Sequence, residues 1–120
     1  MKFSIALILM LATLASANNF QMREDCAREL QIKNYHRNTI PEGHLGKCFL
    51  KCMYEKNGAY DKENGFKIEK IYNEIKKHHR PSIAEGELLG LIENCVKESN
   101  KADDPCERVY RASVCFDKLD

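Results

Sequence analysis

The fold is decided by GKCFLKCMYEKNG, residues 46–58 of this 120-residue chain. Cys48 and Cys52 are four positions apart, so on a helix they lie one turn apart on the same face. The apolar residues of the segment follow the helical period, and Gly58 is a typical helix end because glycine adopts left-handed backbone at little cost. The segment therefore predicts a helix over residues 47–56 with both cysteines on one side.

The cysteines predict a covalent framework. The chain has six, at Cys26, Cys48, Cys52, Cys95, Cys106 and Cys115. An even number in a short chain indicates three disulfides. Cys48 and Cys52 point the same way, so a bond between them would be strained and each is expected to reach a different helix. Zinc binding is the alternative, but no C-x-x-C pair occurs and His78-His79 has no familiar ligand spacing.

The first residues carry a leader pattern. A positive start at Lys2 is followed by an apolar run over residues 3–14 and by small residues at 15–17. This pattern predicts a secretory signal peptide over residues 1–17 and one domain over residues 18–120. A membrane anchor is the alternative, but a bilayer span needs about 20 apolar residues. Export to an oxidising compartment also favours disulfides over zinc-binding thiolates.

The charge balance argues against two classes of partner. The chain has 19 basic and 18 acidic residues, and removal of Lys2 with the leader leaves the domain neutral. A neutral domain has no electrostatic attraction for nucleic acid or for anionic membranes. No second long apolar segment follows, so we expect a secreted, extracellular protein without stable membrane insertion.

Amphipathic patterns predict further helices along the chain. They cover residues 20–33, 66–79, 82–99 and 105–116, with a short irregular helix after Pro41 and polar loops at residues 34–40 and 61–65. No segment alternates apolar and polar residues for long, and none is rich in β-branched residues. The predicted fold is therefore all-α, a compact bundle of about six short helices.

Two of these helices have sequence signals at their starts. Ser82 and Glu85 have the spacing of a capping box, in which each side chain satisfies a free N–H group of the helix. Asp104, Pro105 and Glu107 supply a cap, a proline at the first helical position and an acid at the third. We therefore expect a break in the chain before each of these two helices.

Three disulfides would allow a domain of this size to keep an internal space. In the chain-entropy account each contributes roughly 3 to 4 kcal/mol to stability. An empty apolar cavity of about 300 Å³ would cost on the order of 7 kcal/mol, at roughly 24 cal/mol per Å³. The cross-links could offset that cost, so the sequence predicts a scaffold that tolerates an apolar cavity.

The cysteine spacing resembles a known signature. It is Cys26-x21-Cys48-x3-Cys52-x42-Cys95-x10-Cys106-x8-Cys115. The three-residue and eight-residue gaps, the stretch around the second and third cysteines and the Asn64-Gly65-Phe66 turn are similar to those of insect odorant-binding proteins. The resemblance covers essentially the whole of residues 18–120.

The resemblance implies a pairing and a function. The family pairs its first cysteine with the third, its second with the fifth and its fourth with the sixth. Carried over to this chain, the resemblance implies Cys26–Cys52, Cys48–Cys106 and Cys95–Cys115. Its members are helical bundles that carry odorants, pheromones or fatty-acid-like molecules in an apolar cavity, and some act in saliva or reproductive fluid. Only five residues follow Cys115, so a long tail that enters the cavity is not expected.

The candidate ligand contacts are apolar or aromatic residues of the predicted helices. They are Phe49, Met53, Ile68, Ile71, Tyr72, Ile75, Leu88, Ile92, Val109, Tyr110, Val114 and Phe116. Ligand sites are mostly apolar walls with few polar groups, but the same pattern also describes an ordinary core. Tyr72 and Tyr110 could each offer a hydroxyl to a ligand.

We interpret the chain as a carrier with a role in the perception of smell. Its partner is a small hydrophobic ligand, a membrane chemoreceptor is a candidate second partner, and the chain is expected to be a monomer or a weak homodimer. No nucleophile, base and orienting group can be placed together, so we expect no enzyme activity, metal or cofactor.

Two other classes of function stay open. One is a secreted salivary or seminal effector that acts by protein–protein contact and has a filled core. The other is a membrane-disrupting defence peptide, which the neutral charge disfavours.

Overall fold

The computed structural model describes residues 16–33, 40–77 and 83–119. Within them the chain forms five helices and one short hairpin: α1 Ser16–Glu29, α2 Gly43–Lys56, β1 Tyr60–Asp61, β2 Gly65–Phe66, α3 Ile68–Ile75, α4 Glu85–Ser99 and α5 Pro105–Asp117. The predicted all-α bundle is confirmed. The predicted signal peptide falls largely on residues 1–15, which lie outside the described residues, and it stays a prediction.

The disulfides confirm both the predicted pairing and the central position of α2. Cys52 bonds to Cys26 of α1, and Cys48 bonds to Cys106 of α5. Cys95 of α4 bonds to Cys115 of α5, and the described residues include no free cysteine. Two cysteines one turn apart on α2 therefore tie it covalently to α1 and to α5.

Helix α2 is longer than the sequence predicted. It runs unbroken from Gly43, so the separate short helix expected after Pro41 is wrong. Gly43 has a φ of +71°, which lets the chain turn directly into the helix. A Cβ at Gly46 would lie 1.8 Å from the carbonyl oxygen of Pro41, so only glycine lets that backbone pack here. The predicted end at Gly58 is confirmed by its φ of +85°.

Helix α1 ends earlier than predicted. The last helical residue is Glu29 rather than residue 33. Gln31 then adopts a φ of +55°, and the Ile32 N–H donates to the Ala27 carbonyl over 2.9 Å. This bond satisfies a carbonyl that the helix end leaves free, and it turns the chain away.

A two-stranded antiparallel hairpin replaces the expected polar turn at residues 61–65. Tyr60 pairs with Phe66, and Asp61 pairs with Gly65. The Tyr60 and Phe66 rings meet edge-on at 4.8 Å between centroids, and Phe66 meets the Phe116 ring of α5 at 6.3 Å. The expectation that no strand would form is therefore wrong at this one place, where aromatic packing against α5 supports the pairing.

The ends of the last three helices test the predicted boundaries. Helix α3 is shorter than the predicted 66–79, because Phe66 belongs to the hairpin and the helix ends at Ile75. Helix α4 begins at Glu85 with Ala84 as its N-cap residue, and the predicted capping box rests on Ser82, which lies outside the described residues. The Asp104 carboxylate accepts from the Cys106 N–H over 3.1 Å, which confirms the cap of α5.

Candidate ligand-binding site

Most of the predicted ligand contacts come together between α2, α3, α4 and α5. Two predicted contacts from each helix are at most 1% exposed: Phe49, Met53, Ile71, Ile75, Leu88, Ile92, Val109 and Phe116. We call these eight residues the apolar cluster. Their spacing of four or seven positions within each helix places both side chains of a pair on its inner face.

The other four predicted contacts lie at the margin of the apolar cluster or away from it. Ile68, Tyr72 and Tyr110 are partly buried and pack against it. Val114 is 38% exposed on the outer side of α5. Val114 lies about 140° around the helix from Val109, since each residue advances the helix by about 100°, and the structure does not bring it to the cluster.

The apolar cluster is closed. Side chains that are at most 1% exposed are covered by protein atoms, so almost none of their surface can contact water. A ligand among these side chains therefore needs the cluster to open. Met53 is the most adaptable member, because its unbranched side chain can take several shapes.

An open cleft lies at the start of α2, and we call it the α2 cleft. It has a volume of about 220 Å³. Its apolar walls come from Ile40, Pro41, Leu50 and Tyr110, and Glu42 and Lys47 add charge. Of the twelve predicted contacts only Tyr110 lines it. The signal that could have indicated it is the pair of glycines at positions 43 and 46, because glycine permits a close approach of backbone.

The charged groups of the α2 cleft form a network between α2 and α5. The Lys47 ammonium donates to Glu107 Oε1 over 2.6 Å and lies 4.7 Å from the centre of the Tyr110 ring. Glu107 Oε2 accepts from the Arg111 Nε over 2.9 Å. The hydrogen bond from Lys47, followed by that from Arg111, lowers the pKa of Glu107. The carboxylate is therefore ionised at neutral pH and balances Lys47.

A second contact joins the same two helices. His44 Nε2 lies 2.8 Å from Asp104 Oδ2, and this hydrogen bond is the main cause of the lowered pKa of Asp104. His44 Nδ1 also lies 3.6 Å from the Cys48 sulfur. His44, Cys48 and Cys106 therefore place three potential metal-ligand atoms within 4.8 Å of one another. Both sulfurs belong to one disulfide, and metals bind cysteine as the free thiolate.

A second depression lies beside the hairpin and is polar. It has a volume of about 360 Å³ and is lined partly by Glu55, Asp61, Lys62 and Lys67. The Asp61 carboxylate accepts from the Glu63 N–H and from the Asn64 side chain, and these bonds lower its pKa. Asp61 therefore stabilises the hairpin turn through these two hydrogen bonds.

The fold and the cluster define a class: a small helical protein with three disulfides around an apolar centre. No helix of the described residues is long and apolar enough to cross a membrane. The chain matches the PBP/GOBP family over residues 13–118 and belongs to that family.

Two relatives from Drosophila melanogaster have similar sequences. General odorant-binding protein 99b is 29% identical over 90 residues, which cover 75% of this chain and 60% of the relative. General odorant-binding protein 99a is 28% identical over 58 residues, which cover 44% of this chain and 41% of the relative. The matched region therefore spans less than two thirds of either relative.

Proposed function

We propose that the protein is a secreted carrier that reversibly binds small hydrophobic ligands within the helical bundle, with a role in chemosensory perception. Membership of the PBP/GOBP family is the observation that carries this proposal. The names of both relatives describe them as odorant-binding proteins. The apolar cluster supports the proposal, because four helices contribute the side chains that a hydrophobic ligand would contact.

The free energy of ligand binding in the apolar cluster has one favourable and one unfavourable contribution. Burial of apolar ligand surface contributes about 25 cal/mol per Å². Opening the closed cluster costs free energy, since a space of about 300 Å³ costs on the order of 7 kcal/mol when empty and less when filled. The three disulfides hold the helices while the cluster opens. We therefore expect long apolar ligands, with more surface to bury, to bind more tightly than short ones of the same chemistry.

The test is displacement of a fluorescent hydrophobic probe from the oxidised protein. We expect the probe to bind at micromolar protein and to be released by a long-chain alcohol or ester. The reduced protein is the control and should lose probe binding with its fold. Failure of any probe to bind the oxidised, folded protein would contradict the carrier function.

A second candidate function is an effector that acts by protein–protein contact. The closed apolar cluster favours this alternative, because such a protein needs no internal space. The same titration separates the two: a folded protein that binds neither probe nor ligand supports the effector. No reaction is part of either proposal.

A further inference from the structure

The α2 cleft differs from the apolar cluster because it is already open. Its volume of about 220 Å³ compares with the roughly 150 Å³ apolar cavity that holds benzene in another protein. We propose that the α2 cleft is a second binding site, for a small neutral molecule with an apolar body and one oxygen acceptor, such as a short-chain ketone, ester or alcohol. The site goes beyond the proposed carrier function, since binding there does not need the bundle to open.

The walls of the α2 cleft are fixed by neighbouring structure. Leu50 forms part of the floor and is 1% exposed, so its side chain is held by the core. Pro41 forms another wall, and its carbonyl group packs where a Cβ of Gly46 would lie. A preformed apolar wall favours binding, because no conformational change has to be driven by the ligand.

Lys47 supplies the polar contact. An ammonium group has three N–H donors. One is used by Glu107, and the ring of Tyr110 lies beside the group at 4.7 Å. Donor capacity therefore remains for an oxygen acceptor of a ligand. Because the Lys47 side chain is only 30% exposed, a hydrogen bond there competes less with water than one at the surface.

The local charges favour a neutral ligand over a carboxylate. Lys47 and Arg111 both bind the Glu107 carboxylate, and Glu42 adds a second negative charge at the cleft. Two positive and two negative side chains leave no net attraction for an anion. A carboxylate would also come close to Glu107, which repels it. A ketone or ester accepts the Lys47 hydrogen bond without that repulsion.

The test is an NMR titration of the oxidised full chain with heptan-2-one and with heptanoate. We expect heptan-2-one to shift the amide signals of Gly43, Gly46 and Lys47, and to bind about tenfold more tightly than heptanoate. Shifts confined to α3 and α4 would overturn the second site while leaving the carrier function intact. Loss of all binding would contradict both proposals.

Two substitutions test the polar contact, each with a matched control. Lys47→Met keeps the side-chain length and removes the donor, so it should weaken heptan-2-one binding about tenfold. Lys51→Met is its control, since Lys51 also pairs with a glutamate, Glu55, but does not line the cleft. Equal effects of the two substitutions would overturn the role of Lys47.

The second substitution should abolish the preference for heptan-2-one over heptanoate. Glu107→Gln removes the negative charge that balances Lys47, so heptanoate should gain about tenfold in affinity relative to heptan-2-one. Glu55→Gln should leave the ratio unchanged. A change in stability alone would weaken the binding of both ligands together, so only loss of the preference for heptan-2-one supports the proposal. This variant also keeps the test possible if Lys47→Met does not fold.

Discussion

The apolar cluster and the α2 cleft are neighbouring regions with opposite packing. Leu50 lines the α2 cleft and is buried in the same core as Phe49, its neighbour in α2 and a member of the cluster. Regular helix faces build the cluster, and their side chains close on one another. A loop backbone builds the cleft, where Pro41 approaches Gly46 and leaves space beside it. Helical periodicity therefore predicts which residues are buried, whereas open space depends on how a loop meets a helix.

The largest expected effect comes from the disulfide beside the α2 cleft. Cys48→Ala with Cys106→Ala removes a cross-link over a sequence separation of 58 residues, and the chain-entropy account gives a loss of about 4 kcal/mol in the free energy of unfolding. Cys95→Ala with Cys115→Ala removes a separation of 20 and should cost about 3 kcal/mol. Urea denaturation of both variants measures the difference. A larger loss from the shorter loop would show that native packing, and not loop length, determines how much each disulfide stabilises the protein.

Two adjacent leucines of α4 test how firmly the apolar cluster is packed. Leu88 is 0% exposed and Leu89 is 40% exposed. Leu88→Ala should lower the free energy of unfolding by about 3 kcal/mol, because it leaves a cavity in the cluster. Leu89→Ala, the matched control, should change it by less than about 0.5 kcal/mol.

The Leu88→Ala variant also sharpens the comparison of the two regions. The space that it opens lies in the apolar cluster and not in the α2 cleft. We therefore expect tighter binding of a long-chain ester by Leu88→Ala and unchanged binding of heptan-2-one. Equal changes for both ligands would contradict two separate sites.

Much of the framework could be predicted because its signals are local. Cys48 and Cys52 lie one turn apart within a single helix, so the central role of α2 follows from chain geometry alone. The start of α5 at Pro105 depends on one side-chain cap that the sequence displays. The paired faces that form the apolar cluster follow from the helical period in the same way.

The remaining features depend on packing contacts that the helical period does not show. The hairpin forms where Tyr60 packs against Phe66 and Phe66 packs against Phe116 of α5, a residue 50 positions further along the chain. The α2 cleft depends on the approach of Pro41 to Gly46, a contact that glycine permits but does not require. Val114 was predicted as a ligand contact because it is an apolar residue of α5, and only packing selects which of these residues face inwards.

Substitution of two helical glycines distinguishes a glycine that the packing requires from one that alanine can replace. Gly46→Ala places a Cβ 1.8 Å from the Pro41 carbonyl oxygen, so backbone must move and about 2 kcal/mol should be lost. Gly90→Ala in α4 has nothing within 4 Å of the new Cβ and should gain about 0.5 to 1 kcal/mol from better helix propensity. Thermal unfolding measures the loss of stability in Gly46→Ala and the gain in Gly90→Ala.

The Gly46→Ala variant should also distort the α2 cleft. Displacement of Pro41 changes one of its walls, so heptan-2-one binding should weaken while probe binding in the apolar cluster persists. If Gly46→Ala were as stable as the unmodified protein, the close approach of Pro41 would not be what shapes the cleft.

The smallest expected effect is the pH dependence of the network that borders the α2 cleft. The hydrogen bond from Lys47 lowers the pKa of Glu107, so folding favours the ionised carboxylate. The resulting stability is present above the unfolded pKa of about 4.3 and is lost as the pH falls through the lower folded pKa. Because the pair is partly exposed, its contribution should be about 0.5 kcal/mol.

Urea denaturation should therefore find Glu107→Gln slightly less stable than the unmodified protein at pH 7, with a smaller difference as the pH falls below 4. Glu93→Gln, at an exposed position of α4, is the matched control substitution. A difference for Glu107→Gln that stayed constant with pH would mean that packing, rather than charge, joins Lys47 to Glu107.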